Sequence, residues 1–197
     1  MPEKALDVEL ETIRRKLAAR DARTHDGPAQ RRAAVAAVLR PGSAGPELLL
    51  IRRAEREGDP WSGHMALPGG HAHASDRDLL ATALRETHEE VGIDLSRHEL
   101  LGALDEHAAN AQGRFTGLVI APFVFALRDD PVISPNYEVA EVLWGPLAAM
   151  ARGEIDAVLE LQRAGQTMRF PGYEVGGQVV WGLTHRVLQS LFGVLGS

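Results

Sequence analysis

Apolar and polar positions along the chain divide it into short periodic segments. Residues 4–20 set Leu6, Leu10, Ile13 and Leu17 on one face of a helix. That face packs on the following domain or on a second subunit, which leaves room for a homodimer. Asp21 to Gln30 is polar and turn-like, so 1–30 reads as an N-terminal helix and linker and 31–197 as the main domain. Ala33 to Leu39 is an apolar run typical of a buried strand. After the turn at Pro41-Gly42-Ser43-Ala44-Gly45, Leu48 to Ile51 makes a second strand ending in Arg52-Arg53, and the two form a hairpin. Residues 54–67 are irregular. Leu100 to Glu106 reads as a strand, Asn110 to Gly113 as a loop, and Gly117 to Leu127 as a long strand broken by Pro122. Residues 154–180 suggest two or more short strands with turns at Ala164-Gly165 and Gly176-Gly177, and Pro171-Gly172-Tyr173 among them is close enough to reach a substrate. Trp181 to Leu195 is an amphipathic helix whose stripe holds Leu183, Val187, Leu188, Leu191, Val194 and Leu195, with Thr184 its one polar residue.

The stretch from Pro68 to Ile93 organises the rest. A glycine loop, Pro68-Gly69-Gly70, leads into a helix that ends at Gly92. Leu80, Leu84, Thr87 and Val91 share the face that packs. Glu86, Glu89 and Glu90 fall at i, i+3, i+4 on another face, well away from that stripe. Like charges at this spacing destabilise a helix, and carboxylates near its C-terminus oppose the macrodipole. A divalent cation among them would remove both penalties. Oxygen-only ligands favour a hard ion, Mg²⁺ or Mn²⁺, which shares its sphere with substrate phosphates. The same charges also fit a plain solvated helix face. Asp76 reads as the helix N-cap.

Composition narrows the classes. The 45% apolar and 24% charged content is that of a globular protein, and the net charge of −6 supplies no general field for nucleic acid. Cysteine is absent, so there are no disulfides or thiolate metal sites. No apolar run approaches the roughly 18 residues of a membrane span, and no targeting signal stands at either end, so the expected compartment is the cytoplasm. His71-x-His73 lacks further ligands at a zinc-site spacing. Trp61 stacks on a base or packs into its loop, with packing the preferred reading.

Arg85, Glu86, Glu89, Glu90, Gly92 and Ile93 match the Nudix box, G-x5-E-x7-R-E-U-x-E-E-x-G-U with U aliphatic, and the segment resembles it. Asp76 replaces the first glutamate, eight residues instead of seven precede Arg85, and Thr87 stands at an aliphatic position. The variant is similar to that of the coenzyme A pyrophosphatase branch. Arg52, Arg53, Arg56, Gly63 and Pro68-Gly69-Gly70 partly match that branch's second motif, although Leu67 replaces an aromatic residue and Asp59-Pro60-Trp61-Ser62 departs from its spacer. Val180-Trp181-Gly182-Leu183-Thr184 also resembles the opening of a helix in that branch.

The resemblance implies an α/β/α sandwich with a central mixed sheet and a loop-helix-loop motif. It implies Glu86 and Glu90 as primary metal ligands, Glu89 as a third, the Gly70 carbonyl in the same shell, and Arg85 as the brace of the glutamates. Glu138 or Glu141, in the loop and strand leading to Trp144, would be an extra ligand or the general base. Arg52, Arg53, Gly69 and Gly70 would meet the substrate. The implied reaction is Mg²⁺- or Mn²⁺-dependent hydrolysis of a pyrophosphate bond, with coenzyme A or an acyl derivative as the leading substrate. Nucleoside triphosphates, ADP-ribose and dinucleotides are the alternatives, and a non-catalytic nucleotide sensor is a further one.

Overall fold

A computed structural model describes residues 9–196 apart from 28, 30, 59, 60, 112, 113 and 164. Leu6 of the expected first helix therefore lies outside the described residues. So do Asp59-Pro60, Gln112-Gly113 and Ala164.

The centre is a mixed sheet. β1 (Arg31–Arg40) and β2 (Glu47–Arg53) form the expected antiparallel hairpin, with Leu39 opposite Leu48 and Arg40 opposite Glu47. β1 pairs in parallel with β7 (Arg114–Ala126), from Arg31–Leu118 to Leu39–Ala126. β3 (Met65–Ala66) and β8 (Val139–Pro146) flank β2, and β4 (Gly69–His71) adds to β1. β5 (Glu99–Ala103) and β6 (His107–Ala111) pair in turn with β7.

Both faces of this sheet are covered, which explains the continuous apolar runs of β1 and β2. Ala37, Leu39, Leu48 and Leu50 point to one core. Ala36, Val38, Leu49 and Ile51 point to the other. The first core holds α1 (Leu10–Ala18), the short α3 (Leu147–Ala151) and α4 (Gly182–Gly196). It also holds the inner face of an antiparallel three-stranded sheet of β9 (Asp156–Arg163), β10 (Gln166–Val175) and β11 (Gln178–Trp181). The second core packs under α2 (Leu79–Val91) through Val91, with Leu80 and Leu84 partly buried against it. The result is the expected α/β/α arrangement.

Four expectations change. Gly69-Gly70 is a short strand, held by Ala34 opposite Gly70 and Val35 opposite Gly69. Asn110 and Ala111 are also strand. Pro122 does not break β7. Its carbonyl accepts from Leu104 N–H at 2.9 Å, so its missing N–H falls on the same edge, where β5 gives way to β6 and no ladder bond is required. Tyr173 cannot reach a substrate. It is buried in the first core, and its hydroxyl accepts a hydrogen bond from Gln189.

α1 packs on its own chain. Ile13 and Leu17 are buried in the first core, and Arg14 pairs with Glu99 at 2.7 Å. The linker follows along the sheet edge, with Arg20 and Arg23 on Asp105 and His25 N–H on Glu106 at 2.8 Å. Of the apolar face that suggested a second subunit, Ile13 and Leu17 are thus buried, and Leu10 partly buried, against the chain's own core. Among the described residues no helix is long and apolar enough to cross a membrane.

Candidate active site

α2 is fixed at both ends. Asp78 is its N-cap, accepting from Ala81 N–H at 2.7 Å, and Gly92 closes it in the left-handed conformation at φ 76°. Asp76, expected to cap the helix, does something else. Its carboxylate accepts Arg85 Nε at 3.0 Å and Arg85 Nη2 at 2.9 Å, together with Thr82 Oγ1 and His73 N–H, each at 2.9 Å. The Arg85 guanidinium, the His73 N–H and the Thr82 hydroxyl hold this carboxyl well below the usual carboxylate range.

The other side of the same guanidinium holds the helix carboxylates. Arg85 Nη1 donates to Glu86 at 2.8 Å and to Glu89 at 3.1 Å, while Nη2 also reaches the His71 carbonyl at 3.1 Å. Arg85 therefore ties the β4 strand, the loop at Asp76 and two glutamates into one unit. His71 contributes to it through its carbonyl.

Glu90 departs from the expected face. It is only 2% exposed, and its carboxylate accepts the Gly69 N–H at 2.8 Å. Burial is the main cause that pushes its pKa up to about 7. The Gly69 N–H and Arg53 pull it down, and the charges of Glu86 and Glu138 add to the rise. Glu86 lies against Gly70 so closely that a Cβ there would come within 2.5 Å of its carboxyl carbon. Thr87, also fully buried, has a hydroxyl without a hydrogen-bond partner among the described residues.

Strand alternation separates the two arginines. Arg53 follows Leu49 and Ile51 on the α2 side of the sheet, and its charge reaches Glu90. Arg52 follows Leu48 and Leu50 on the opposite side, where it meets its cross-strand partner Glu141 at 3.2 Å. The two late glutamates separate in the same way. Glu141 is paired on the far face. Glu138 lies in the loop before β8, pairs with Arg56 at 3.0 Å, and its charge reaches Glu90. Trp61 is 46% exposed and is not loop core.

The donor set suits a hard divalent cation. Glu90 is a buried carboxylate facing other carboxylates, a setting that an added positive charge would relieve. Gly70 leaves the backbone open beside Glu86. Among the described residues, no three carboxylate or imidazole groups already converge as a cage.

Comparison with known proteins gives the family. The NUDIX domain family matches residues 30–164. An uncharacterized protein of Schizosaccharomyces pombe is 42% identical over 120 residues, covering 59% of this chain and 36% of that protein. The chain thus spans about a third of the length of that relative. The uncharacterized Nudix hydrolase NudL of Photorhabdus laumondii is 33% identical over 147 residues, covering 74% of this chain and 75% of NudL. NudL of Yersinia enterocolitica is 34% identical over 159 residues, with 79% and 78% covered. In fold, a MutT/nudix family protein from Enterococcus faecalis aligns with a TM-score of 0.52 at 17% identity, over 92% of this chain and 68% of the other. The family match and the NudL relatives together show that the chain belongs to the Nudix family and is a Nudix pyrophosphohydrolase.

Proposed function

We propose that the chain hydrolyses a pyrophosphate bond in a nucleoside diphosphate derivative, with Mg²⁺ or Mn²⁺. The proposed substrate is coenzyme A or an acyl-coenzyme A, giving 3′,5′-ADP and the (acyl-)4′-phosphopantetheine. The observation that carries the chemistry is Glu90, a carboxylate held in the protein interior by the Gly69 N–H beside Glu86 and Glu138. A buried carboxylate among like charges is costly to a fold, and such groups cluster at functional sites. The choice of coenzyme A is supported by the partial sequence likeness at Arg52, Arg53, Arg56, Gly63 and Pro68-Gly69-Gly70 and by that at Val180 to Thr184.

On this reading Glu90 and Glu86 are the main metal ligands, with Glu89 and the Gly70 carbonyl completing the protein's share. When bound, the cation neutralises charge on the pyrophosphate and acidifies water. Arg85, anchored by Asp76, keeps Glu86 and Glu89 in place. Arg53 meets a phosphate oxygen from the α2 side of the sheet. Glu138 takes the proton of the attacking water at its carboxylate. The water oxygen forms the new bond to phosphorus, and the bond to the bridging oxygen breaks with its electrons leaving on the departing phosphate. Arg52 and Glu141 remain each other's partners and stand outside the reaction.

Product analysis tests the proposal. The purified chain is given coenzyme A, acetyl-coenzyme A, ADP-ribose, NADH, a dinucleoside polyphosphate and nucleoside triphosphates, with Mg²⁺ or Mn²⁺. Release of 3′,5′-ADP from coenzyme A in preference to the others is the expected result. Preference for another member leaves the pyrophosphate chemistry and overturns coenzyme A. No product from any member overturns the reaction.

A further inference from the structure

Two loops meet at the C-terminal end of α2, and an exposed ring stands where they meet. The loop ahead of β8 is pinned to the helix end. Ser134 N–H donates to the Val91 carbonyl at 2.9 Å, and Asn136 N–H to the Glu90 carbonyl at 3.0 Å. Glu138 N–H donates to the Asn136 side chain at 2.8 Å. From the other loop, Ala54 N–H donates to the Glu138 carbonyl at 2.7 Å. The backbone of Tyr137 is therefore held on both sides, one residue from the proposed base and one from the segment bonded to Glu90.

Its side chain is nonetheless 81% exposed. That exposure leaves an aromatic face open to solvent one residue from the proposed base Glu138. The ring is also backed. The Arg56 guanidinium carbon lies 4.9 Å from the ring centroid, and the same guanidinium pairs with Glu138 at 3.0 Å. A cation over one face fixes the ring's orientation and leaves the other face for a ligand. The ligand that fits an ordered, amphipathic aromatic face is another flat ring. A nucleoside diphosphate derivative brings one, its base, on the same molecule as the pyrophosphate.

We propose that Tyr137, backed by Arg56, is the platform on which the base of the nucleotide substrate stacks. The proposal rests on a nucleoside diphosphate derivative being the substrate, and it adds which residue reads the base. It also links recognition to chemistry, because Arg56 touches both the platform and Glu138. Stacking accepts any aromatic base, so the platform supplies affinity and position and leaves base identity to other contacts.

The test is a calorimetric titration of the full chain, with Mg²⁺ present, by AMP and by ribose 5-phosphate. These probes differ only in the base, and neither requires turnover. The wild-type chain is expected to bind AMP more tightly. Tyr137→Ala should lower the ratio of AMP to ribose 5-phosphate affinity by about fivefold to 150-fold, the range of a lost base-aromatic stack. Tyr137→Phe should restore most of it, because the ring and not the hydroxyl makes the contact. A ratio unchanged in Tyr137→Ala overturns the proposal. So does an equal loss for both probes, which would mark damage to the loop. A ratio that falls in Trp61→Ala and not in Tyr137→Ala overturns it in favour of the other exposed aromatic. Turnover is read separately. A wild-type chain that prefers AMP but cleaves no pyrophosphate refutes the proposed reaction and keeps the platform. One that cleaves pyrophosphate with no preference for AMP does the reverse.

Discussion

Gly69 and Gly70 are neighbours with different duties. A Cβ on Gly69 would fall 2.3 Å from the Ala34 carbonyl oxygen, and its φ of 149° disfavours any side chain. The three atoms nearest a Cβ on Gly70 all belong to the Glu86 carboxylate, at 2.5–2.7 Å, the far end of a flexible side chain rather than backbone. Gly69→Ala should therefore destabilise the fold by about 1–3 kcal/mol. Gly70→Ala should unfold close to the wild type in denaturant and lose about tenfold or more in kcat, through a displaced Glu86. Equal stability losses in the two variants would contradict this division. The duties were not legible in the sequence, because two adjacent glycines announce close backbone approach without saying what approaches. Asp76 was misread for a similar reason. Both Asp76 and Asp78 precede the helix, and Asp78 stands directly before Leu79, where a cap belongs. That left Asp76 free to hold an arginine nine residues away, a contact no local pattern reveals.

At the scale of the element, α2 was legible in its limits and in its packing stripe, but not in the depth of Glu90. At about 100° per residue, Glu90 lies roughly 20° from Ala83, so it shares a line with a fully buried position. Its spacing from Glu86 and Glu89 concealed this. The buried carboxylate predicts a pH signature in protein stripped of divalent cations. The ordinary value of Glu90 is 4.5, and burial raises it to about 7 in the fold. Between these values the folded chain keeps a proton that the unfolded chain has lost, so this group's contribution to stability falls as pH rises through the window. Glu90→Gln removes that dependence. The variant should melt close to the wild type at pH 4.5 and above it at pH 8, and the gap should shrink when Mg²⁺ or Mn²⁺ is restored to the wild type. A difference in melting temperature that is the same at both pH values would contradict the assignment.

Over the whole molecule, the long apolar segments were readable and their partners were not. β1, β2, β7 and α4 announce themselves by composition, because both faces of the sheet are covered and the strands carry few polar residues. β3 and β4 have two and three residues, too short for any periodicity, and exist only because β2 and β1 offer them a ladder. The parallel pairing of β1 with β7 joins segments more than seventy residues apart and has no local signature. The candidate site follows the same rule. Its glutamates lie on one helix and could be read together, whereas Arg53, Arg56, Tyr137 and Glu138 arrive from two loops and a strand that only the fold assembles. The sheet also assigns Arg52 and Arg53 to opposite faces, which a pair of adjacent arginines in a sequence cannot do for itself.

The most direct test of the central claim, that the carboxylates of α2 carry metal-dependent pyrophosphate hydrolysis, is the turnover of Glu90→Gln. Rates would be measured on the best substrate of the product panel, over a range of Mg²⁺ and Mn²⁺ concentrations, with folding checked by circular dichroism. The expected result is a folded variant whose kcat falls at least about a hundredfold and is not recovered by more metal, since even the partners behind a ligand cost ten- to a hundredfold when lost. A folded variant with wild-type turnover and an unchanged metal requirement would contradict the claim and move the chemistry away from this helix.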